Sequence, residues 1–294
     1  MKKIIFFAVL AAFASCHKAD DVQENPVYDH LKINFTVDIR TKVSDTFFDK
    51  NDEVGIFIVN NNGDQEGTLS SSGNHYDNVK FAYSGSRWTS SAELYWMDKS
   101  TPAVFYCYHP YGTPSNVTEY QFEVKSNQST LANYKASDFV WGKTSPVAPT
   151  DELIQIATNH LMSNILVYVK PGNGFTEESL SAAKVSVQIR NVRTSCAVNL
   201  ANGSVTANGS AGNITPYKES GYYRALVVPQ TVADGTALIV VMVNGTEYTL
   251  KRGFTFESGV QHKFTVKVNK TGSGVNVGVG DWETDGEDHG GSAE

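Results

Sequence analysis

Apolar residues along this chain recur mostly with the period of two that belongs to strands, and stripes at helical spacing are scarce. The clearest run is Leu31, Ile33, Phe35, Val37 and Ile39, alternating with Lys32, Asn34, Thr36 and Asp38. Such alternation gives an extended segment one apolar and one polar face, as a half-buried strand requires. Residues 54–59 and 103–108 are continuously apolar and predict strands covered on both faces. Further short strands are predicted at 79–83, 88, 94–96, 122–124, 165–169, 185–189, 196–200, 223–228, 237–243, 246–250, 264–268 and 275–279. Asn244-Gly245, between two of these, predicts a two-residue hairpin, because both residues tolerate positive φ. Asn202-Gly203 and Asn208-Gly209 also read as turns. One short helix is predicted over 176–183, with Thr176 as its cap and Glu177-Glu178 in its first turn. Residues 126–152 are polar, carry Pro146 and Pro149, and read as a long loop between two halves. The fold class is therefore all-β.

The first fifteen residues read as an address rather than as part of the fold. Lys2 and Lys3 precede an eleven-residue apolar run, Ile4 to Ala14, which is too short to span a bilayer. Phe13-Ala14-Ser15 then leads into Cys16, the arrangement expected of a lipoprotein signal peptide with the lipid placed on Cys16. The alternative is an ordinary secreted protein with a cysteine at that position by chance. The segment Cys16-His17-Lys18-Ala19-Asp20-Asp21 resembles the acidic export signal of bacterial lipoproteins displayed on the outer membrane.

Removal of residues 1–15 takes away two lysines and no acid, moving the formal charge from −7 to −9. Nucleic acid is thereby an unfavourable partner, since its binding depends on clustered Lys and Arg. Cys107 and Cys196 lie in different halves and read as buried thiols rather than as a disulfide framework. The expected organisation is a signal peptide (1–15), a polar tether (16–27), β-sandwiches over 28–157 and 158–284, and a flexible acidic tail (285–294).

Catalytic patterns are lacking. No His-Glu-x-x-His stands in the sequence, the seven histidines are scattered, and Gly209-Ser210-Ala211-Gly212 lacks the spacing of a nucleophile elbow. His109 and His160, beside apolar strands, are expected as hydrogen-bonded residues of the core or of strand ends. The reading is a non-enzyme without metal or cofactor. Trp88, Trp96, Tyr106, Tyr108 and Tyr111 are dense in the first half; they are expected in the core, or else stacked on sugars in a surface-exposed glycan-binding lipoprotein of a nutrient-uptake system.

Seven short motifs, in order, carry a resemblance. They are Ile39-Arg40-Thr41, Asn51-Asp52-Glu53-Val54-Gly55-Ile56-Phe57, Phe105-Tyr106-Cys107-Tyr108-His109-Pro110-Tyr111, Ser137-Asp138-Phe139, Asn159-His160-Leu161-Met162-Ser163, Val227-Val228-Pro229-Gln230 and Asp281-Trp282. With them the chain resembles the fimbrillin, or type V pilin, family in its Mfa-like branch, over roughly residues 28–284. The resemblance implies two tandem transthyretin-like β-sandwich domains and assembly with other pilin subunits on the outer membrane. It also implies that a protease cuts after Arg40 and that the first strand, Leu31, Ile33, Phe35, Val37 and Ile39, then leaves for a neighbour's strand. Val275, Val277, Val279 and Trp282 form the candidate C-terminal donor; the alternative is that they close their own sandwich. A host or bacterial surface receptor is a further implied partner. Without the resemblance, the first strand reads as a permanent part of its sheet.

Overall fold

The computed structural model describes residues 31–39, 48–270 and 291–293. Cys16, Arg40, Val275, Val277, Val279 and Trp282 lie outside the described residues.

In chain order the strands begin with β1 (Asn34–Ile39), β2 (Glu53–Asn60), β3 (Tyr76–Tyr83), β4 (Trp88–Thr89) and β5 (Ala103–His109). Then come β6 (Tyr120–Glu123), helix α1 (Leu131–Lys135), β7 (Val140–Lys143), β8 (Leu153–His160) and β9 (Ser163–Pro171). Helix α2 (Glu177–Ser181) precedes β10 (Val185–Val198), β11 (Val205–Ile214), β12 (Tyr217–Lys218) and β13 (Tyr223–Val227). The chain closes with β14 (Gln230–Val232), β15 (Ala237–Val243), β16 (Thr246–Lys251), β17 (Phe254–Phe256), β18 (Gln261–Val268) and β19 (Gly291–Ala293).

The fold is all-β, with sheets stacked in sandwich fashion. One sheet has seven strands in the order β1-β8-β7-β5-β2-β3-β4. A second runs β11-β10-β15-β16 with β6 joined to β10, a third runs β12-β13-β9-β18-β19, and β14 pairs with β17. The two continuously apolar strands, β2 and β5, sit inside the seven-stranded sheet and are covered on both faces, which is why they do not alternate. On one face Val54, Ile56, Ile58, Phe105 and Cys107 join a cluster with Ile33, Val37, Trp96, Ile154 and Ile156. On the other, Phe57, Tyr106 and Tyr108 join a larger core that continues through Phe139 into Ile165, Val167, Ile189, Val241, Phe264 and Val266 of the second and third sheets.

Several sequence expectations change here. The stretch 126–152 is not one loop: it holds α1 and β7, and β7 lies between β5 and β8 in the middle of the first sheet. β7 hides from periodicity because it has only four residues, one of them Gly142, whose Cβ would lie 2.1 Å from the Ala157 carbonyl oxygen. Residues 185–198 form one strand rather than two; β10 is bent at two bulges, Arg190/Val192 and Arg193/Ser195. Asn208-Gly209 is no turn: it lies within β11, where Asn208 pairs with Ser195 and Gly209, at φ 71°, begins the second bulge, Gly209 and Ser210 standing opposite Thr194. Gln230 clamps that bend: its side-chain oxygen accepts from Arg193 N (2.8 Å) and its amide donates to Arg193 O (2.9 Å).

The Asn244-Gly245 hairpin forms as predicted, with φ of 50° and 86°. Thr176 caps α2 by accepting from Ser179 N (3.2 Å). The predicted sandwich boundary at 157/158 falls within β8. Gly291–Ala293, in the segment expected to be flexible, pair in parallel with Val266–Val268.

Candidate functional site

The alternating segment at the N-terminus of the described chain is an edge strand with an unusual seat. β1 pairs only with β8, in parallel, from Asn34↔Leu153 to Ile39↔Thr158. Parallel pairing joins residues about 120 positions apart, as Thr158 Oγ1 donating to Asp38 O (3.0 Å) illustrates. The opposite side of the strand is not open along its whole length. Ile33 N donates to Leu94 O (2.8 Å) and Trp96 N donates to Leu31 O (2.9 Å), so residues 94–96 clasp the start of the segment. Further along, Trp88 Nε1 reaches Val37 O at 3.4 Å. β1, first in the order of the sheet, thus also touches the stretch around β4, its last strand. The sheet curls far enough for β1 to close it around its own cluster.

The clasp is anchored from behind. Tyr95 N donates to Tyr76 Oη (3.0 Å), Tyr95 O lies 2.7 Å from His75 Nε2, and Trp96 Nε1 donates to Thr150 O (2.9 Å). At the surface Lys32 Nζ and Tyr95 Oη both reach Glu93, each at 2.6 Å. The bonds from Lys32 and then Tyr95 hold the Glu93 carboxyl below its usual range. Residues 94–96 read as an ordinary short strand in sequence; their part in holding β1 had no signal there, because the partner is more than sixty residues away.

The five alternating side chains are not equal. Ile33 and Val37 are buried at 5% and 4% exposure, whereas Leu31, Phe35 and Ile39 are half-buried. Phe35 meets Phe81 edge-on at 4.7 Å between ring centroids. At about 1.5–3 kcal/mol for a fully buried side chain and half that for the others, the segment contributes about 5–10 kcal/mol of apolar burial. Ile39 lies at the end of the groove, against a cavity of about 500 Å³ lined also by His109, Tyr134, Asp138, His160 and Met162. There His160 Nδ1 lies 2.6 Å from Asp138 Oδ2, and His109 Nδ1 lies 2.8 Å from Glu53 O, so both histidines are bonded at strand ends as expected.

The motif residues are mostly structural. Ser137 Oγ accepts from Lys125 N (2.9 Å) and donates to Asn133 O (2.8 Å). Gly55 leaves room for the Tyr108 ring, which would stand 2.3 Å from a Cβ at that position. Of the aromatics considered for sugar stacking, Trp96, Tyr106 and Tyr108 are buried at 1–3% exposure and face no solvent. Trp88 packs edge-on against Phe48 at 4.9 Å, and Tyr111 lies under Lys80. Burial pushes the Cys196 thiol up to about 12 and raises that of Cys107 further, so both stay protonated. Among the described residues no group of three His, Cys, Asp or Glu is placed to hold a metal ion, and no helix is long and apolar enough to cross a membrane.

Three solved structures illustrate what the fold is similar to. A candidate cell-adhesion protein from Bacteroides ovatus superposes with TM-score 0.64 at 18% identity, over 81% of this chain and 92% of that one. Another, from Bacteroides uniformis, gives 0.62 at 16% identity, over 92% and 98%. A fimbrial protein from Bacteroides ovatus gives 0.51 at 18% identity, over 80% of this chain and 48% of that one. At these identities the likeness is one of fold. No curated protein sequence matches the chain. The profile of the fimbrillin-like family matches residues 41–282, most of the chain. The chain belongs to the fimbrillin-like family.

Proposed function

We propose that this protein is a structural or adhesive subunit of a surface fimbria, and that it polymerises by exchanging its first strand for a strand of a neighbouring subunit. The observation that carries the reading is the seat of β1: one parallel ladder on one side, a short clasp on the other, and two deeply buried side chains between. Removal of the strand would leave the β8 edge with unpaired N–H and C=O groups and would empty the pockets of Ile33 and Val37. An incoming strand with apolar residues at alternate positions restores both. The held strand lies within residues 31–39, before Arg40, while its ladder partner β8 and the clasp at residues 94–96 lie after it, so one cut after Arg40 would free the strand covalently while sparing the rest of the sheet. Val275, Val277 and Val279, followed by Trp282, are the proposed donor from the neighbouring copy or from another pilin.

In this account the two sandwiches are transthyretin-like, Cys16 carries the diacylglycerol and palmitoyl chains that tie the subunit to the outer membrane, and no catalytic group is involved. The test is treatment of the purified precursor with an arginine-specific protease. Cleavage after Arg40, followed by a ladder of oligomers that survives warm detergent, is the expected result. A cut protein that stays monomeric, or a site at 40 that resists cleavage in the folded precursor, overturns the exchange. Cys16→Ser should abolish incorporation of labelled palmitate and release the protein from membranes; label retained in that variant removes the anchor from the account.

A further inference from the structure

Asn-Gly occurs five times in this chain, at 62–63, 173–174, 202–203, 208–209 and 244–245. Asparagine is chemically labile, and most so before glycine, because no Cβ shields the glycine nitrogen from the side-chain amide carbon. For the two atoms to meet, the asparagine backbone and side chain must rotate. Hydrogen bonds that fix the pair therefore protect it, and the fold treats the five pairs differently.

Four of them are held. Asn244, at φ 50° in the β15–β16 hairpin, donates its N–H to Lys184 O (3.0 Å) and accepts from Lys184 N at its side-chain oxygen (2.9 Å). Asn208 lies in the β10–β11 ladder opposite Ser195, and its side-chain amide donates to Gln121 Oε1 (3.0 Å). The Asn202 side-chain oxygen accepts from Ser204 N (2.9 Å), while Gly203 N, the would-be attacking atom, donates to Asn199 O (2.7 Å) and Gly203 lies against the Trp141 ring. Asn173 is tied through its backbone at the end of the β9–β18 ladder: its N–H donates to Asn269 Oδ1 (2.8 Å), its carbonyl accepts from Lys270 N (2.8 Å), and Gly174 lies against the Lys270 side chain.

Asn62-Gly63, just past the end of β2, has no such restraint. Both residues are exposed, and among the described residues neither the Asn62 side chain nor the Gly63 N–H makes a hydrogen bond. Gly63 stands at φ 60° in open space: a Cβ there would meet nothing within 4 Å. The backbone is held only by the two bonds that Asn62 exchanges with Gln65, at 2.9 and 3.2 Å, an isolated bridge outside any strand. Residues 62–66 are all exposed, so opening the bridge uncovers no core and lies at the low-cost end of local unfolding.

We propose that Asn62-Gly63 is a site of spontaneous deamidation in the folded protein. Gly63 N, giving up its proton to solvent base, bonds to Asn62 Cγ; the Cγ–Nδ2 bond breaks and ammonia leaves. Water then opens the resulting five-membered imide at either carbonyl, leaving aspartate or isoaspartate at position 62. One water is consumed and one ammonia released, with no oxidant or cofactor. Either product places a new negative charge beside Asp64 and Glu66. The isoaspartate also lengthens the backbone by one methylene, so the two bonds to Gln65 cannot both be kept. An aged subunit thus differs from a new one in the charge and shape of this loop.

The experiment is incubation of the full mature protein, folded or in urea, at mildly alkaline pH, followed by peptide mapping by mass for the exchange of NH2 for OH. In the folded protein Asn62 should convert at least about tenfold faster than any of the other four, and in urea the five rates should draw within about threefold of one another. Isoelectric focusing of the folded protein should show a more acidic band that grows with time and is lost in Asn62→Gln, whose longer side chain forms a six-membered ring more slowly, with an unchanged circular dichroism spectrum. Faster conversion of the folded protein at 173, 202, 208 or 244 overturns the proposal, as does an Asn62 that converts in urea but not in the fold. Undiminished growth of the acidic band in Asn62→Gln overturns it equally. None of these readouts depends on whether the protein polymerises.

Discussion

Replacing Ile33, just before β1, and Val37, within it, together by alanine removes the two deeply buried side chains of the first segment while leaving the β1–β8 ladder intact. Both are buried to within 5% exposure, among Ile56, Phe105, Trp96 and Ile156. A buried Ile→Ala change costs about 2–5 kcal/mol, and a Val loses two methyl-sized groups at about 0.8 kcal/mol each plus the cavity left behind. The pair should therefore lose about 4–7 kcal/mol, a large share of the roughly 5–15 kcal/mol that holds an ordinary domain. The two sites face one cluster, so the sum will not be strictly additive. Urea unfolding followed by tryptophan fluorescence is the assay, because Trp96 lies in the same cluster. Asn34→Ala, on the exposed side of β1, is the control and should shift stability by about 0.5 kcal/mol or less. A loss below about 1 kcal/mol in the double variant would refute the reasoning, because the groove would then not depend on its strand.

Other expectations follow from single contacts. Gly55→Ala would press a methyl group into the Tyr108 ring and Asn78 Oδ1, at 2.3 and 2.4 Å, and should cost about 2–3 kcal/mol in thermal unfolding. Gln128 is fully buried and closes a ring on Leu226, donating to its carbonyl (2.8 Å) and accepting from its N–H (2.9 Å); Gln128→Ala should cost about 2–3 kcal/mol by leaving both groups unpaired, measured by urea titration. Tyr106 is pushed up to about 12, first by burial and then by Glu66. A raised value means that the folded state holds its proton longer, so this contribution is complete below about pH 10 and is lost as pH climbs toward 12. Denaturation midpoints should accordingly be flat from pH 7 to 9 and fall above pH 10, with late-titrating tyrosine absorbance. Cys107 and Cys196 should not react with a thiol reagent at pH 8 until the protein unfolds, since both are buried and protonated.

The parts of the fold that were legible in sequence are those written locally. The alternation of residues 31–39, the unbroken runs of β2 and β5, the Asn244-Gly245 hairpin and the Thr176 cap each depend on neighbours within a few positions. What escaped depends on distance. The parallel union of β1 with β8 leaves no mark in either strand, and the clasp at Leu94–Trp96 looks like any short apolar patch. β7 is too short and too interrupted by Gly142 to show a period, yet it bridges β5 and β8. Asn208-Gly209 carries turn chemistry, but the same positive φ serves a bulge, and only the pairing partner tells the two apart. The aromatic residues of the first half showed their type but not their depth.

The most direct test of the account is hydrogen exchange on β8 in precursor cut after Arg40, with and without a synthetic peptide spanning residues 28–40. The amides of Ile154–Thr158 should be protected in the intact precursor, become exposed when the cut strand is washed out in mild denaturant, and regain protection when the peptide is added. Protection that survives loss of the strand, or exposure that the peptide fails to reverse, would contradict the claim that β1 occupies a refillable groove.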